Sequence, residues 1–367
     1  MTPLQLLIII VTGLAVNAAL TPIIIYFAHR YRWYDELDHR KIHTEDTPRI
    51  GGIGILVGFL AAVIAALIMG ASSSMPLPSA VGDDATVGRL LLFFLPALAG
   101  MTLMHLLGLI DDFRNLRPVG KLLVQLVAAT LVTIGPFRIE NLTIPFVWYQ
   151  LELGLFSYPV TILWIVAVSN ALNFIDGVDG LAGGTAAIAT LFFAIIALVS
   201  GHAITALLAV GLFGTTLGFL LYNAPPAKIF MGDSGSYLLG YVLSVFPLML
   251  INETRVSLHL IPSATILAVP LLDMVTSVFR RLARGKHPFS ADRDHLHHKL
   301  MDLGNGTWRI LAIAYAASVC LGVVGVLWYV VPPGPGTIIA VAAWVVLIAL
   351  VVFMARTRRR LVGESSR

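Results

Sequence analysis

Asn170-Ala-Leu-Asn-Phe-Ile-Asp-Gly-Val-Asp-Gly-Leu-Ala-Gly-Gly184 carries two asparagines, two aspartates and four glycines, and it lies between two segments apolar enough to cross a bilayer. Carboxylates are costly there, so an acid pair at a membrane boundary marks a functional site by default. Asn170, Asn173, Asp176 and Asp179 recur every third residue. On a regular α-helix that spacing drifts round the axis. A helix end that tightens to a 3₁₀ turn, or opens at Gly177, would let all four side chains face one polar cavity. A polar loop between helices is the plainer reading. The two are separated by whether other acidic loops share that side of the membrane.

Composition sets the class. Of 367 residues, 58% are apolar and only 12% charged, with a mean hydropathy of +0.89. Soluble domains hold roughly 45–50% apolar and about 25% charged residues. The chain is therefore expected to be an all-α polytopic integral membrane protein, organised as one transmembrane domain over 1–367. Cys320 is the single cysteine and sits in an apolar run, which excludes a disulfide framework and a thiolate zinc site. The net charge of +4 is not pooled on one soluble face, so nucleic acid is not an expected partner.

Eleven spans have the length a bilayer core requires: 4–28, 51–70, 89–110, 119–135, 157–173, 181–200, 203–222, 236–251, 261–281, 308–331 and 335–355. The first lacks a basic leading region and is followed by Arg30, Arg32, Arg40 and Lys41, unlike a cleaved signal peptide. That order predicts an outside N-terminus and a cytoplasmic C-terminus. With this orientation only Arg89, Arg138 and Arg255 of the 24 basic residues fall outside, as the positive-inside rule demands. Among outside loops, 71–88 reads as a flexible connection. Residues 139–153 alternate and predict a small extracytoplasmic hairpin, with Trp148 and Tyr149 at the headgroups.

The inside loops carry the chemistry. Asp111, Asp112, Asp176, Asp179 and Asp233 all fall at cytoplasmic helix ends. Five converging acids repel unless a cation joins them or some stay protonated. Oxygen donors without cysteine point to Mg²⁺, with Mn²⁺ as the alternative. Acids alone also suit an ion transporter, but Lys121, Arg293, His295, His297 and His298 supply cationic donors beside them. Acids, metal and donors together are what phosphoryl transfer needs. Gly232-Asp-Ser-Gly235 also matches a short intramembrane serine protease pattern, which would leave the acids unexplained.

Thr47-Pro-Arg-Ile-Gly-Gly52, Asp111-Asp112, Asn170 to Leu181, Phe230-Met-Gly-Asp-Ser-Gly-Ser236 and Asp294-His-Leu-His-His298 occur in this order along nearly the whole chain. Together they resemble the polyprenyl-phosphate N-acetylhexosamine-1-phosphate transferases. The resemblance implies a bacterial inner-membrane enzyme with a cytoplasmic, Mg²⁺-dependent site. It would move a sugar-1-phosphate from a UDP-N-acetylhexosamine to undecaprenyl phosphate and release UMP. The Asp294–His298 form resembles the branch using UDP-GlcNAc or a relative for teichoic acid, O-antigen, common antigen or arabinogalactan; the UDP-MurNAc-pentapeptide branch is the second choice. Carried over residue by residue, Asp111, Asp112 and Asp233 would be catalytic, and Asp233, Asp112 and Asp176 would hold the metal. Either Asp111 or Asp112 would be the base. Asn170, Asn173, Asp176, Asp179, Arg293, His295, His297 and His298 would bind the nucleotide sugar; Lys121, Thr47, Gly51 and Gly52 would bind the lipid phosphate. Asp273 is expected to pair with a basic residue, and His105 to make a structural contact. A homodimer is compatible with all of this.

Overall fold

The computed structural model describes residues 2–34, 47–71, 87–144, 149–253, 260–285, 295–331 and 333–364. The chain is an all-α polytopic membrane protein. Its helices run in the order α1 (Pro3–Tyr31), α2 (Gly52–Ala71), α3 (Val87–Arg114), α4 (Pro118–Ile134), α5 (Ser157–Ile175), α6 (Leu181–Val199) and α7 (Ala203–Asn223). There follow α8 (Gly232–Glu253), α9 (Leu260–Ile266), α10 (Ala268–Ala283), α11 (Leu296–Asp302), α12 (Thr307–Val330) and α13 (Pro333–Glu364). Among the described residues eight helices are long and apolar enough to cross a membrane: α1, α2, α3, α5, α6, α7, α12 and α13. The other three expected spans also coincide with helices: α4, of 17 residues, α8, of 22, and the α9–α10 pair.

Local chemistry explains where these helices start. Thr2 and Gln5 close a capping box at the head of α1, each side chain meeting the other's backbone N–H. Pro118 occupies the first turn of α4, where its missing N–H costs nothing. The hairpin is present: β1 (Asn141–Ile144) pairs antiparallel with β2 (Tyr149–Glu152), Asn141 opposite Glu152. The expected headgroup position of Trp148 and the 71–88 connection lie outside the described residues, apart from Ala71, Val87 and Gly88 in helices.

The centre of the bundle is α6, α7 and α8. In α6 and α7, 72% of the apolar window is buried, against 17% in α13, so α13 is a peripheral helix. Phe193, Phe219, Tyr241 and Phe246 fill this centre completely buried. Within a bilayer every polar group needs an internal partner. Tyr241 Oη accordingly donates to the Ala97 carbonyl and Trp164 Nε1 to the Ser244 carbonyl, while Thr161, Ser169 and Thr190 bond back to carbonyls one turn earlier.

One expected span is not straight. The sequence predicts a single crossing over 261–281, but α9 and α10 meet at 86° around Leu267. Pro270 has no N–H to offer the Ile266 carbonyl, so the ladder cannot run through. The break turns α10 towards α5, and its buried stripe contains Asp273, Ser277 and Arg281.

Helix α3 approaches α8 closely enough to require glycine. A β-carbon on Gly108 would lie 2.3 Å from the Asp233 carbonyl oxygen, whereas one on Gly120 would meet nothing within 4 Å. Gly108→Ala is therefore expected to lower the melting temperature in detergent clearly. Gly120→Ala should leave it unchanged.

Candidate active site

The α8 N-terminus is where the site is built. Strand-like pairing holds the turn before it: Phe230 N–H donates to the Pro48 carbonyl, and Gly51 and Gly52 N–H donate to Phe230 and Met231. Gly232, at φ +71°, then turns the chain into the helix. The first N–H groups of a helix have no partner of their own and attract negative charge. Here the acceptor comes from another helix. Both oxygens of Asp112, at the end of α3, accept from the backbone N–H groups of Asp233 (2.7 Å) and Ser234 (3.1 Å).

Asp233 is thereby fixed in the first turn of α8, and its carboxylate is the hub. One oxygen accepts from Arg49 (3.0 Å) and Asn173 (3.1 Å), the other from Lys121 (3.1 Å). Lys121 also donates to Asp111. The second Asp111 oxygen accepts from the Leu116 N–H at 2.7 Å, closing the end of α3. The two neighbouring acids thus point to different partners, as adjacent positions on a helix must. Asp111 faces Lys121 on α4, and Asp112 faces the backbone of α8 with Arg49 Nε 3.6 Å from one oxygen. The Arg49 side chain is 34% exposed and that of Lys121 22%, against 9% for Asp233, so the cations form the accessible rim.

The 170–184 stretch behaves partly as expected. Helix α5 stops at Ile175, and the Asp176 N–H reaches back three residues to Asn173, as in a 3₁₀ turn. Gly180, at φ +75°, leads into α6. The four polar side chains do not share one cavity, however. Asn173 faces Asp233 and also donates to Ser236. Asn170 pairs with Gln125 across α4 and α5, and Asp179 accepts from the Ala227 N–H, tying down the loop after α7. The backbone leaves helical geometry at Asp176, with φ −77° and ψ +48°, so the three-residue spacing does not continue as one helix face to Asp179.

On the far side of that turn stands the histidine cluster. The His295 ring meets Phe174 edge-on at 5.6 Å and lies parallel to His297 at 5.8 Å; His297 and His298 are 4.3 Å apart. A β-carbon at Gly177 would be 2.8 Å from His297 Nε2, so His297 rests directly on the Asp176–Asp179 turn. Burial pushes the His297 imidazole down to about 3, with the neighbouring His298 acting in the same direction. Asp273 pairs with His295, as expected. Arg293 and Asp294 lie outside the described residues.

Two expectations change. Gly51 and Gly52 are buried against Phe219, Phe230, Ser234 and Gly235, within 2.3 to 2.7 Å of where β-carbons would stand. They let loop one reach the α8 turn, and their N–H groups are taken by the Phe230 and Met231 carbonyls. Asp112, expected as a metal ligand, has both oxygens on backbone donors and a side chain only 1% exposed. Arg49 was missed as a site residue, although it stood inside the Thr47–Gly52 motif. A lone cation ahead of a glycine pair was the available signal. His105 Nδ1 meets the Ser234 main-chain oxygen (3.3 Å), and Ser234 is fully buried. That geometry does not make a serine–histidine pair.

Among the described residues no three His, Cys, Asp or Glu side chains already converge on a metal position. The donors nonetheless suit a hard cation. Burial pushes Asp176 up to about 7; Asp233, Asp112 and Asp179 act in the same direction, while Arg49 opposes them. This is a local surplus of negative charge on oxygen atoms alone. Mg²⁺ needs only one or two protein carboxylates when substrate phosphates and waters complete its sphere, and Asp233 and Asp176 could hold it.

Comparison with known proteins shows the family. A sequence profile of glycosyl transferase family 4 matches residues 94–251, from α3 through α8. The chain is 33% identical over 82% of its length, and 78% of the relative's, to a probable undecaprenyl-phosphate N-acetylglucosaminyl 1-phosphate transferase of Bacillus subtilis. It is 34% identical to a phospho-N-acetylmuramoyl-pentapeptide-transferase of Desulfitobacterium hafniense, over 80% and 88% of the two chains. It is also 29% identical to an undecaprenyl-phosphate alpha-N-acetylglucosaminyl 1-phosphate transferase of Yersinia pestis, over 80% and 76%. The chain belongs to glycosyl transferase family 4.

Two expectations follow for measurement. Asp112→Ala removes two caps from α8 and should cost about 1–2 kcal/mol of stability, more than Asp112→Asn, which retains one acceptor; chemical or thermal unfolding in detergent checks this. His297 should stay neutral from about pH 8 down to about pH 5, with no titration of its ring in NMR spectra. Its folded pKa lies below the unfolded value. It therefore lets stability fall as the pH drops below that unfolded value, where the unfolded chain takes up the proton first.

Proposed function

We propose that this protein transfers GlcNAc-1-phosphate from UDP-GlcNAc to undecaprenyl phosphate, releasing UMP, as the first membrane step of a cell-envelope polysaccharide. The observation that carries the reading is the Asp233 hub, with Arg49, Lys121 and Asn173 on one carboxylate and Asp111 and Asp176 beside it. A carboxylate, two cations and a surplus of acid at a bilayer surface suit a reaction in which every substrate carries phosphate. The distribution of basic residues favours a cytoplasmic site in the bacterial inner membrane.

In this reading an oxygen of the lipid phosphate attacks the β-phosphorus of the UDP-sugar. A new P–O bond forms as the bond to the bridging oxygen breaks, and that oxygen leaves with the electron pair on UMP. Arg49 and Lys121 hold the phosphate charges. Asp111 takes any remaining proton from the lipid phosphate; the Asp112 side chain is the more enclosed of the two, 1% exposed against 6%. His295, His297 and His298 face the pyrophosphate or sugar. Bound between Asp233 and Asp176, Mg²⁺ would supply a Lewis acid for phosphate oxygens. A covalent route through Asp233 is disfavoured because a carboxylate held by cations and a metal is a poor nucleophile, and the lipid phosphate already carries the charge.

UDP-MurNAc-pentapeptide is the second donor to weigh, given the similarity to the Desulfitobacterium hafniense enzyme. The Asp294-His-Leu-His-His298 sequence favours UDP-GlcNAc.

Purified protein given undecaprenyl phosphate, UDP-GlcNAc and Mg²⁺ should release UMP only with lipid and metal present. Asp233→Asn should lower the rate at least about 100-fold, the scale expected for losing an electrostatic partner of the transition state. Turnover with a different UDP-sugar would move the donor alone. No turnover with any UDP-sugar, from folded protein, would refute the transferase reading.

A further inference from the structure

The break between α9 and α10 has a second product besides a bent span. It puts Asp273, 3% exposed, beneath the histidine cluster. One carboxylate oxygen is 2.9 Å from His295 Nδ1, and the other accepts the Leu296 N–H at 2.7 Å. Leu296 is the first residue of α11, the short helix that carries His297 and His298. Ser277, one turn further along α10, has its hydroxyl 3.4 Å from the same His295 nitrogen and accepts from Arg280 at 2.8 Å. Phe174, against the His295 ring, is itself covered by the Arg281 guanidinium at 5.3 Å.

We propose that Asp273 is a positioning residue that sets the tautomer of His295 and anchors α11, so that one buried acid orients the histidine face of the active site. An ionised carboxylate only accepts, so Nδ1 must carry the proton and Nε2 is the nitrogen presented to a ligand. The second oxygen fixes the start of α11, which keeps His297 on Gly177 and next to Asp176. A residue serving only as a helix cap would have no use for the bond to the ring. This inference rests on the reading that His295, His297 and His298 face the nucleotide sugar.

Asp273→Asn separates positioning from simple support. Its side-chain oxygen can keep the Leu296 N–H, while its amide then donates to His295 Nδ1 and drives the proton to Nε2. Full-length protein with ¹⁵N-labelled histidine, in detergent micelles, reports the tautomer directly. The wild type should show His295 protonated at Nδ1. The variant should melt close to the wild type, show the proton moved to Nε2, and lose at least about tenfold in kcat/KM for UDP-GlcNAc, as is usual when an acid orienting a working histidine is removed. A wild-type His295 without a proton on Nδ1 would overturn the proposal, and this needs no variant. So would an unchanged tautomer in Asp273→Asn, or a moved tautomer with unchanged kcat/KM. If the wild type released no UMP at all, the transferase reading would fail, while the tautomer would still decide the role of Asp273.

Discussion

The cap that Asp112 places on α8 is the constraint on which the site depends. A helix that begins at the membrane surface exposes N–H groups that neither lipid nor its own backbone can satisfy. In this protein α3 supplies the acceptor, so the position of Asp233 is set by a contact between two helices rather than by a loop. Gly108 permits the close approach, and the Pro48–Gly52 segment braces the turn from the other side. With the backbone held on both sides, the Asp233 carboxylate can carry Arg49, Lys121 and Asn173 at once. The same device recurs at α11, where Asp273 reaches across from α10 to the Leu296 N–H. Two acids that look alike in sequence as membrane charges thus each cap a helix end and also meet a basic side chain, Arg49 for Asp112 and His295 for Asp273.

This division explains how much could be read beforehand. The helical class followed from composition, and each expected span coincides with a helix or, at 261–281, with the bent α9–α10 pair, because a bilayer tolerates few other structures. The convergence of Asp111, Lys121 and Asp233 was legible too, since each falls at a helix end on the same face. What could not be read was which carboxylate caps α8 and which meets Lys121. Asp111 and Asp112 have identical chemistry and adjacent positions; only the direction of α8 distinguishes them. Asp179 shares its motif with Asp176, yet the turn at Asp176 carries it to the Ala227 N–H. The bend at Leu267 was signalled by Pro270 but not its size, because proline removes one bond and leaves the angle to packing.

The glycines of loop one make the same point from the other direction. Gly51 and Gly52 resembled an approach for phosphate, and a glycine pair before a helix often serves that purpose. Here the missing side chains are filled by Phe219 and the α8 turn. The group that meets the site is the neighbouring Arg49, whose importance lies in reach: a long side chain crosses to Asp233 from a backbone that is itself packed away.

The borrowed cap on α8 also bears on biosynthesis. Asp112 and Asp233 are separated by 121 residues, and Arg49 by 184 from the carboxylate it meets. Helices that enter the membrane in chain order bring the Asp111–Asp112 pair in well before α8 exists. In that interval the Leu116 N–H, five residues along, and Lys121, ten along, are the partners of Asp111 that arrive. Contacts this distant in sequence form late, after the loops between them have been closed. The catalytic centre is consequently one of the last parts of the protein to assemble, and a chain stopped before α8 holds its acids without the backbone they were placed to receive.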